Sequence, residues 1–293
     1  MAHPISADLS VDPVNGGEKP VKSLPSQPIL CQELLFFSPM STPITEKYTL
    51  KFPALLTTAD VDMEGRLRPG ALVNLLVQGA IRSAEQLRVG FGILREQDLY
   101  WVLHRLTVEA DRLPGWHEEV ILETWPKDID GLLYLRDFFL WDPAGKTAAR
   151  ATSGWLAIHR DSKRPGLVES PIPGLFTEMR KKHAIELPPE KLKPVAQGED
   201  SEIPALWTDF DINRHVTSSR YIDWMTDALP FDFLRAHRLR RLSVNFLKEV
   251  TPGDRICLTR RSDEMTHIFE GRRQGDGLPV FRGEMQFVPD TNG

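Results

Sequence analysis

One pattern occurs twice in this chain, and the repetition constrains the fold more than any single motif does. Thr58-Ala59-Asp60-Val61-Asp62-Met63 lies opposite Trp207-Thr208-Asp209-Phe210-Asp211-Ile212 without a gap, at an offset of 149 residues. Both copies read Asp, apolar, Asp, apolar. Both then enter a helix-like segment in which Leu72, Leu75 and Leu76 fall opposite Tyr221, Trp224 and Met225. A second block, Leu103 to Val108, matches Leu239 to Val244 at an offset of 136. Pro114-Gly115 and Pro252-Gly253 follow at an offset of 138, which predicts a two-residue insertion. Matched blocks in the same order point to a duplicated structural unit.

Each unit reads as a strand, a loop, one long helix and then several strands. Pro69 suits a first helical turn. Leu72, Leu75, Leu76, Gly79, Ala80 and Leu87 approximate helical spacing, and Val73, Val77 and Ile81 widen the stripe. A helix that is apolar around so much of its circumference is wrapped by other elements. Strands are expected over 101–109, 119–125, 132–141 and 148–159, and again over 241–250, 255–261, 267–273 and 280–288. The fold class is therefore α+β: a long helix wrapped by a curved antiparallel sheet, present twice. Trp101, Trp125 and Trp155 read as core residues.

The flanking segments differ from these units. Residues 1–44 hold seven of the 23 prolines and no sustained period, which predicts a disordered extension. The patch Leu34 to Phe37 is the part of it able to dock on the body. A proline- and charge-rich stretch at 181–200 reads as a linker between a first domain at 45–180 and a second at 201–293.

Composition excludes several functions. Lys and Arg number 36 against 41 Asp and Glu, a net charge of −5, which argues against general nucleic-acid binding. Two cysteines, Cys31 and Cys257, are too few for a disulfide framework, and a reducing, cytoplasmic setting is expected. No apolar run approaches the roughly 20 residues that span a bilayer. The eight histidines show no metal-ligand spacing, and there is no nucleophile elbow, P-loop or dinucleotide fingerprint, so neither metal nor cofactor is expected.

The repeat also isolates chemistry. Glu64 lies opposite Asn213 and Arg66 opposite His215, so the versatile side chains occur in the second unit alone. An Asn and a His two residues apart, on a loop entering a helix, lie near backbone N–H groups able to polarise a carbonyl. The same residues have a simpler reading: Asn213 in a left-handed turn, and His215 hydrogen-bonded to Asp211.

Thr208-Asp209-Phe210-Asp211-Ile212-Asn213-Arg214-His215-Val216, followed by Ser219 to Trp224, resembles the active-site segment of acyl-ACP thioesterases. Glu123-Thr124-Trp125, Leu135-Arg136-Asp137-Phe138 and Ala151 to Trp155 resemble other segments of that family, in collinear order over about residues 47–290. The resemblance implies two tandem hotdog domains. It also implies hydrolysis of the thioester between a fatty acyl chain and the phosphopantetheine arm of acyl carrier protein, the step that terminates fatty acid synthesis. The family's catalytic positions map to Asp211, Asn213, His215 and Glu249. Val250 stands where the family carries a cysteine, which leaves activated water as the nucleophile, with a carboxylate nucleophile as a rival route. Glu249 has the wrong strand parity relative to Leu242, Val244 and Phe246, so a bulge is expected there.

Acyl carrier protein is acidic. The segment bearing Arg235, Arg238, Arg240 and Arg241 is the densest basic cluster and the expected docking site. The apolar stripe of the first helix is the expected wall of the acyl-chain pocket. An acyl-CoA thioesterase and a non-catalytic acyl-binding protein are the rival functions, and homodimerisation stays open.

Overall fold

The computed structural model describes residues 44–290. The Leu34 to Phe37 patch, Cys31 and the rest of the tail through residue 43 lie outside the described residues. The first copy supplies β1 (Ile44–Glu46), β2 (Thr49–Leu55), α1 (Pro69–Gln86), α2 (Phe91–Glu96), β3 (Leu99–Ala110), β4 (Glu119–Asp130), β5 (Leu133–Trp141) and β6 (Thr147–His159). A two-residue strand, β7 (Pro165–Gly166), pairs with β6. The second copy supplies β8 (Glu199–Pro204), α3 (Ser218–Asp227), α4 (Phe231–Ala236), β9 (His237–Phe246), β10 (Arg255–Asp263), β11 (Thr266–Arg273) and β12 (Pro279–Pro289).

All strand pairings are antiparallel, and they join into one sheet in the order β1-β2-β4-β5-β6-β3-β9-β12-β11-β10-β8. The duplication is legible in the register. Ala54 faces Val120 in the first copy, and Ile203 faces Ile256 in the second, displaced by the same two offsets of 149 and 136. The copies meet where β3 pairs with β9, and Thr107 there faces Ser243, its own counterpart. A strand paired antiparallel with its own duplicate places a twofold axis at that point. The two hydroxyl oxygens stand 3.4 Å apart across it.

The helices pack on the same axis. A Cβ on Gly70 would lie 2.1 Å from Asp223 Oδ1 and 3.1 Å from the carbonyl oxygen of Ser219, so α1 and α3 approach this closely only because position 70 has no side chain. From α1, Leu72, Val73, Leu76, Gly79, Ala80 and Ser83 are buried at the spacing of one helical face. Full burial of a Leu or Val contributes about 1.5–3 kcal/mol. Ile81, expected in the stripe, is 47% exposed. The second helix is shorter than expected, ten residues with Tyr221, Ile222, Trp224 and Met225 buried. One core cluster runs from Leu50 through Phe287 and unites both copies. No described helix is long and apolar enough to cross a membrane.

Two expectations are corrected. The strand expected over 241–250 runs instead from His237 to Phe246. It stops because the amides of Leu247 and Lys248 both turn to the carbonyl of Val280, at 2.8 and 3.2 Å. Two consecutive amides sharing one partner carbonyl is bulge geometry, so the irregularity expected ahead of Glu249 is present, and Glu249 lies just past the strand end. The two-residue insertion does not exist. Gly115 N donates to Glu118 Oε1 at 2.7 Å, and Thr251 N donates to Asp254 Oδ2 at 2.8 Å, so the 136 offset continues through both turns. The two Pro-Gly pairs occupy different places in the same turn, and Pro114 stands opposite Val250.

The 181–200 stretch, which runs between the two copies, is packed chain. Leu192 and Val195 are buried. Lys127 and Asp137, a buried pair 3.3 Å apart, hold it down: Asp137 Oδ2 accepts from Ala184 N at 2.7 Å, and Lys127 Nζ donates to the carbonyls of Ile185 and Glu186. Burial pushes the Asp137 carboxyl up, and the Lys127 ammonium opposes that shift. Further on, Asn245 accepts from Leu192 N and donates to the Glu190 carbonyl, both at 2.8 Å.

Candidate active site

The loops entering α1 and α3 are built alike. In the first, Asp62 Oδ1 accepts from the amides of Glu64 and Arg66, both at 2.9 Å, and Asp62 N donates to the Arg66 carbonyl at 2.8 Å. In the second, Asp211 Oδ1 accepts from the amides of Asn213 and His215 at 2.8 and 3.2 Å, and Asp211 N donates to the His215 carbonyl at 2.9 Å. The turn needs a left-handed residue, supplied by Gly65 at φ 74° in one loop and Arg214 at φ 62° in the other. Asp211 is thus a loop-forming residue, and the left-handed position expected for Asn213 belongs to Arg214.

What the loops present is different. The Arg66 guanidinium reaches Asp62 Oδ2 at 3.1 Å, Asp290 Oδ2 at 2.8 Å, and the carbonyls of Leu234 and His237 at 2.9 and 3.3 Å. That corner is closed by ion pairs. At the equivalent corner His215 Nε2 lies 3.1 Å from Glu249 Oε2, with the imidazole 29% and the carboxylate 40% exposed. The continued offset places Leu113 opposite Glu249, so this acid, like the histidine, occurs in the second copy alone.

A residue that the sequence reading missed completes the group. Tyr100, near the start of β3, donates its hydroxyl to Glu249 Oε1 at 3.2 Å. Burial and the neighbouring Glu249 push the Tyr100 phenol up to about 12, so it remains a donor through the neutral range. Both carboxylate oxygens then have partners, one from each copy of the repeat. Nothing in the sequence marks Tyr100, because its role exists only once β3 lies beside the second unit.

The amides of Asp211, Asn213, Arg214, His215, Val216 and Thr217 all have backbone or Asp211 acceptors. The Asn213 side chain is held only by a 3.5 Å contact from Nδ2 to Asp211 Oδ2, long for a hydrogen bond. Val250, at the position expected from the resemblance to hold a thiol, is fully buried. Cys257 lies on β10, and burial, with Asp200 and Glu202, pushes its thiol up, away from the reactive thiolate.

The basic segment does not join this group. Arg235 pairs with Glu64 at 3.2 Å. Arg238 donates to the Asp111 carbonyl at 2.9 Å, Arg240 pairs with Asp111 at 2.5 Å, and Arg241 pairs with Glu109 at 2.7 Å. All four bind acceptors in the first copy, so the segment cross-links the two copies and its positive charge is largely offset there.

A small cleft with about 60 Å³ of water-accessible space opens between α1 and the strands of the first copy. Ala80, Ile81 and Ala84 form one wall, and Trp101, Tyr134 and Trp155 form another. Two of the tryptophans expected as core therefore line a cavity, while Trp125 is fully buried. Arg136, also at the cleft, donates to Ser83 and Thr124 at 2.9 and 3.1 Å, and burial lowers its pKa to about 10.

Family models for the N-terminal and C-terminal domains of acyl-ACP thioesterases match residues 45–173 and 192–275. The chain belongs to the acyl-ACP thioesterase family. It is 27% identical over 249 residues to a chloroplastic palmitoyl-acyl carrier protein thioesterase of Gossypium hirsutum, which covers 74% of this chain and 58% of that protein. Oleoyl-acyl carrier protein thioesterase 2 of Arabidopsis thaliana is 27% identical over 212 residues, 62% of this chain and 54% of that protein. The chain thus spans between half and two thirds of these curated relatives. Among solved structures, an acyl-ACP thioesterase from Bacteroides thetaiotaomicron aligns with TM-score 0.76 and 27% identity over 82% of this chain and 98% of its own. The 12:0-ACP thioesterase of Umbellularia californica aligns with TM-score 0.73 at 19% identity over 84% and 99%, a likeness of fold. The family has the tandem hotdog fold that the repeat and the resemblance predicted.

Proposed function

We propose that this chain hydrolyses fatty acyl thioesters of acyl carrier protein, with water activated by His215 and Glu249. The observation that carries the reading is the 3.1 Å contact between these two side chains, formed only at the second of two otherwise matching loops. With Nε2–H directed at Glu249, the Nδ1 lone pair of His215 is free to take a proton from water. The resulting hydroxide adds to the thioester carbonyl. The C–S bond then breaks, and the proton passes from His215 to the departing sulfur, giving a fatty acid and the carrier thiol. Glu249 stabilises the imidazolium, and Tyr100 fixes the carboxylate. The Asn213 side-chain amide is the loop donor with capacity left for the carbonyl oxygen as it gains charge.

The cleft between α1 and the strands of the first copy is the acyl-chain site in this reading, because it is a largely apolar cleft on the helix expected to line it. Family membership favours acyl carrier protein over coenzyme A as the carrier. The test is release of free fatty acid from a series of acyl-ACP chain lengths, with the matching acyl-CoA in parallel. Hydrolysis of acyl-ACP that disappears in His215→Ala supports the proposal; undiminished release in that variant removes the dyad from the reaction.

A further inference from the structure

Arg160 follows the last residue of β6 and has an unusual environment. Its guanidinium carbon lies 5.5 Å from the ring centre of Phe91 and 5.8 Å from that of Tyr100. Its Nε and Nη2 are buried and have no hydrogen-bond partner. Lys163, three residues on and exposed, places Nζ 5.2 Å from the centre of the same Tyr100 ring. Among the described residues, no carboxylate lies within ion-pair distance of either cation. The nearby Asp98 carboxylate is 3.8 Å from His159 instead. The contrast with the segment at 235–241 is sharp, since every one of those arginines that faces the first copy has an acceptor.

Shielding a guanidinium from water without an acceptor is unfavourable, and two aromatic faces offset only part of the cost. Nε and Nη2 are enclosed, so an anion would meet this guanidinium at Nη1, the nitrogen that is not enclosed. The place is informative, because the Tyr100 ring that both cations approach carries the hydroxyl bound to Glu249. The pair therefore stands one aromatic side chain away from the catalytic dyad. A thioester held at the dyad directs its carrier arm outward from the sulfur. The charged group on a phosphopantetheine arm is its phosphate.

We propose that Arg160, supported by Lys163, is the subsite for the phosphate of the carrier's pantetheine arm. This rests on the thioesterase reading above and adds to it an anchor outside the dyad and the acyl cleft. It requires a phosphate and not a particular carrier, so coenzyme A and acyl carrier protein would both engage it.

The experiment uses the full chain and one acyl group on four carriers: pantetheine, 4′-phosphopantetheine, coenzyme A and acyl carrier protein. Turnover of the pantetheine thioester by the unaltered protein checks the thioesterase reading on its own. For the proposal, Arg160→Gln lowers the kcat/KM ratio of the phosphopantetheine to the pantetheine thioester about tenfold, chiefly through KM, as for a lost charge-assisted contact. Lys163→Gln, an exposed position with no folding risk, lowers the same ratio less. The coenzyme A and acyl carrier protein thioesters fall in parallel with phosphopantetheine. Equal losses on the phosphorylated and unphosphorylated arms would overturn the proposal and make Arg160 a support for Tyr100. A loss confined to acyl carrier protein would overturn it in favour of a contact with the carrier's surface. An unaltered protein that does not distinguish the two arms overturns it outright.

Discussion

The loops at 57–68 and 206–217 share a backbone down to individual hydrogen bonds, yet one ends in an arginine enclosed by ion pairs and the other in a histidine facing a carboxylate. In each, an aspartate ties two amides and its own amide closes the turn. In each, the first aspartate's carbonyl receives the amide of the residue before the helix, at 2.9 Å in both copies. The scaffold is therefore indifferent to what it carries. Three substitutions separate the corners: Glu64 against Asn213, Arg66 against His215, and Leu113 against Glu249. The first set contributes cohesion by reaching Asp290 and two carbonyls of the second copy. The second leaves polar groups partly exposed. Sites for chemistry and sites for stability can thus be alternatives at one structural position.

The sharpest way to break this contrast is to remove the dyad. His215→Ala or Glu249→Ala should lower kcat about 10³-fold, measured by steady-state release of fatty acid, with the circular dichroism spectrum unchanged. A variant retaining more than a tenth of the turnover would show that its residue is not acid–base machinery. Next in size is the opposite corner. Arg66→Ala should leave turnover unchanged but cost about 1–3 kcal/mol of stability in a denaturant titration, because Asp290 and the carbonyls of Leu234 and His237 lose a charged donor. Loss of activity without loss of stability would mean that the two corners are not divided in this way.

Tyr100→Phe tests whether the first copy serves the second. It should reduce kcat about tenfold with KM little changed, as for one hydrogen bond to a charged group. It also has a pH signature. The phenol titrates near 10 when free and about 12 in the fold, so Tyr100 contributes stability below pH 10 that is lost as pH rises towards 12. The Phe variant should lack that part of the alkaline loss, read from melting temperature against pH. The smallest effect is expected at the thiol. Cys257→Ser should keep its turnover, and alkylating reagents should not inhibit, since the raised thiol sits on β10 with Asp200 and Glu202 as electrostatic neighbours. Covalent acyl transfer to Cys257 would reverse the water mechanism.

Much of this was legible in the sequence because duplication supplies its own control. The 149 and 136 offsets reappear as matching registers in β2–β4 and β8–β10. The misreadings have physical causes. Pro114-Gly115 and Pro252-Gly253 look equivalent because both suit a turn, but hydrogen bonding sets the alignment and places Pro114 opposite Val250. The arginine segment looked like free charge because Glu109 and Asp111 are about 130 residues away in sequence and adjacent only across β3–β9. Tyr100 was invisible for the same reason. A pattern along the chain reports which face a residue occupies within its own element. It does not report what a neighbouring element brings to that face.

The strand pairing at Thr107 and Ser243, with the strapped segment across β3 and β9, also bears on timing. The two halves share a sheet and a core cluster, with no free spacer between them about which they could swing apart. Under the proposed function, entry of an acyl chain beside α1 would then depend on local rearrangement at the cleft mouth. Phe176 lines the cleft, set edge-on to Tyr134 with ring centres 4.7 Å apart. Rearrangements of exposed side chains and short loops run from picoseconds to microseconds, faster than collective domain motion at microseconds to milliseconds. Filling of the cleft should therefore be quick relative to catalysis, leaving chemistry or departure of the carrier to set the pace of each cycle.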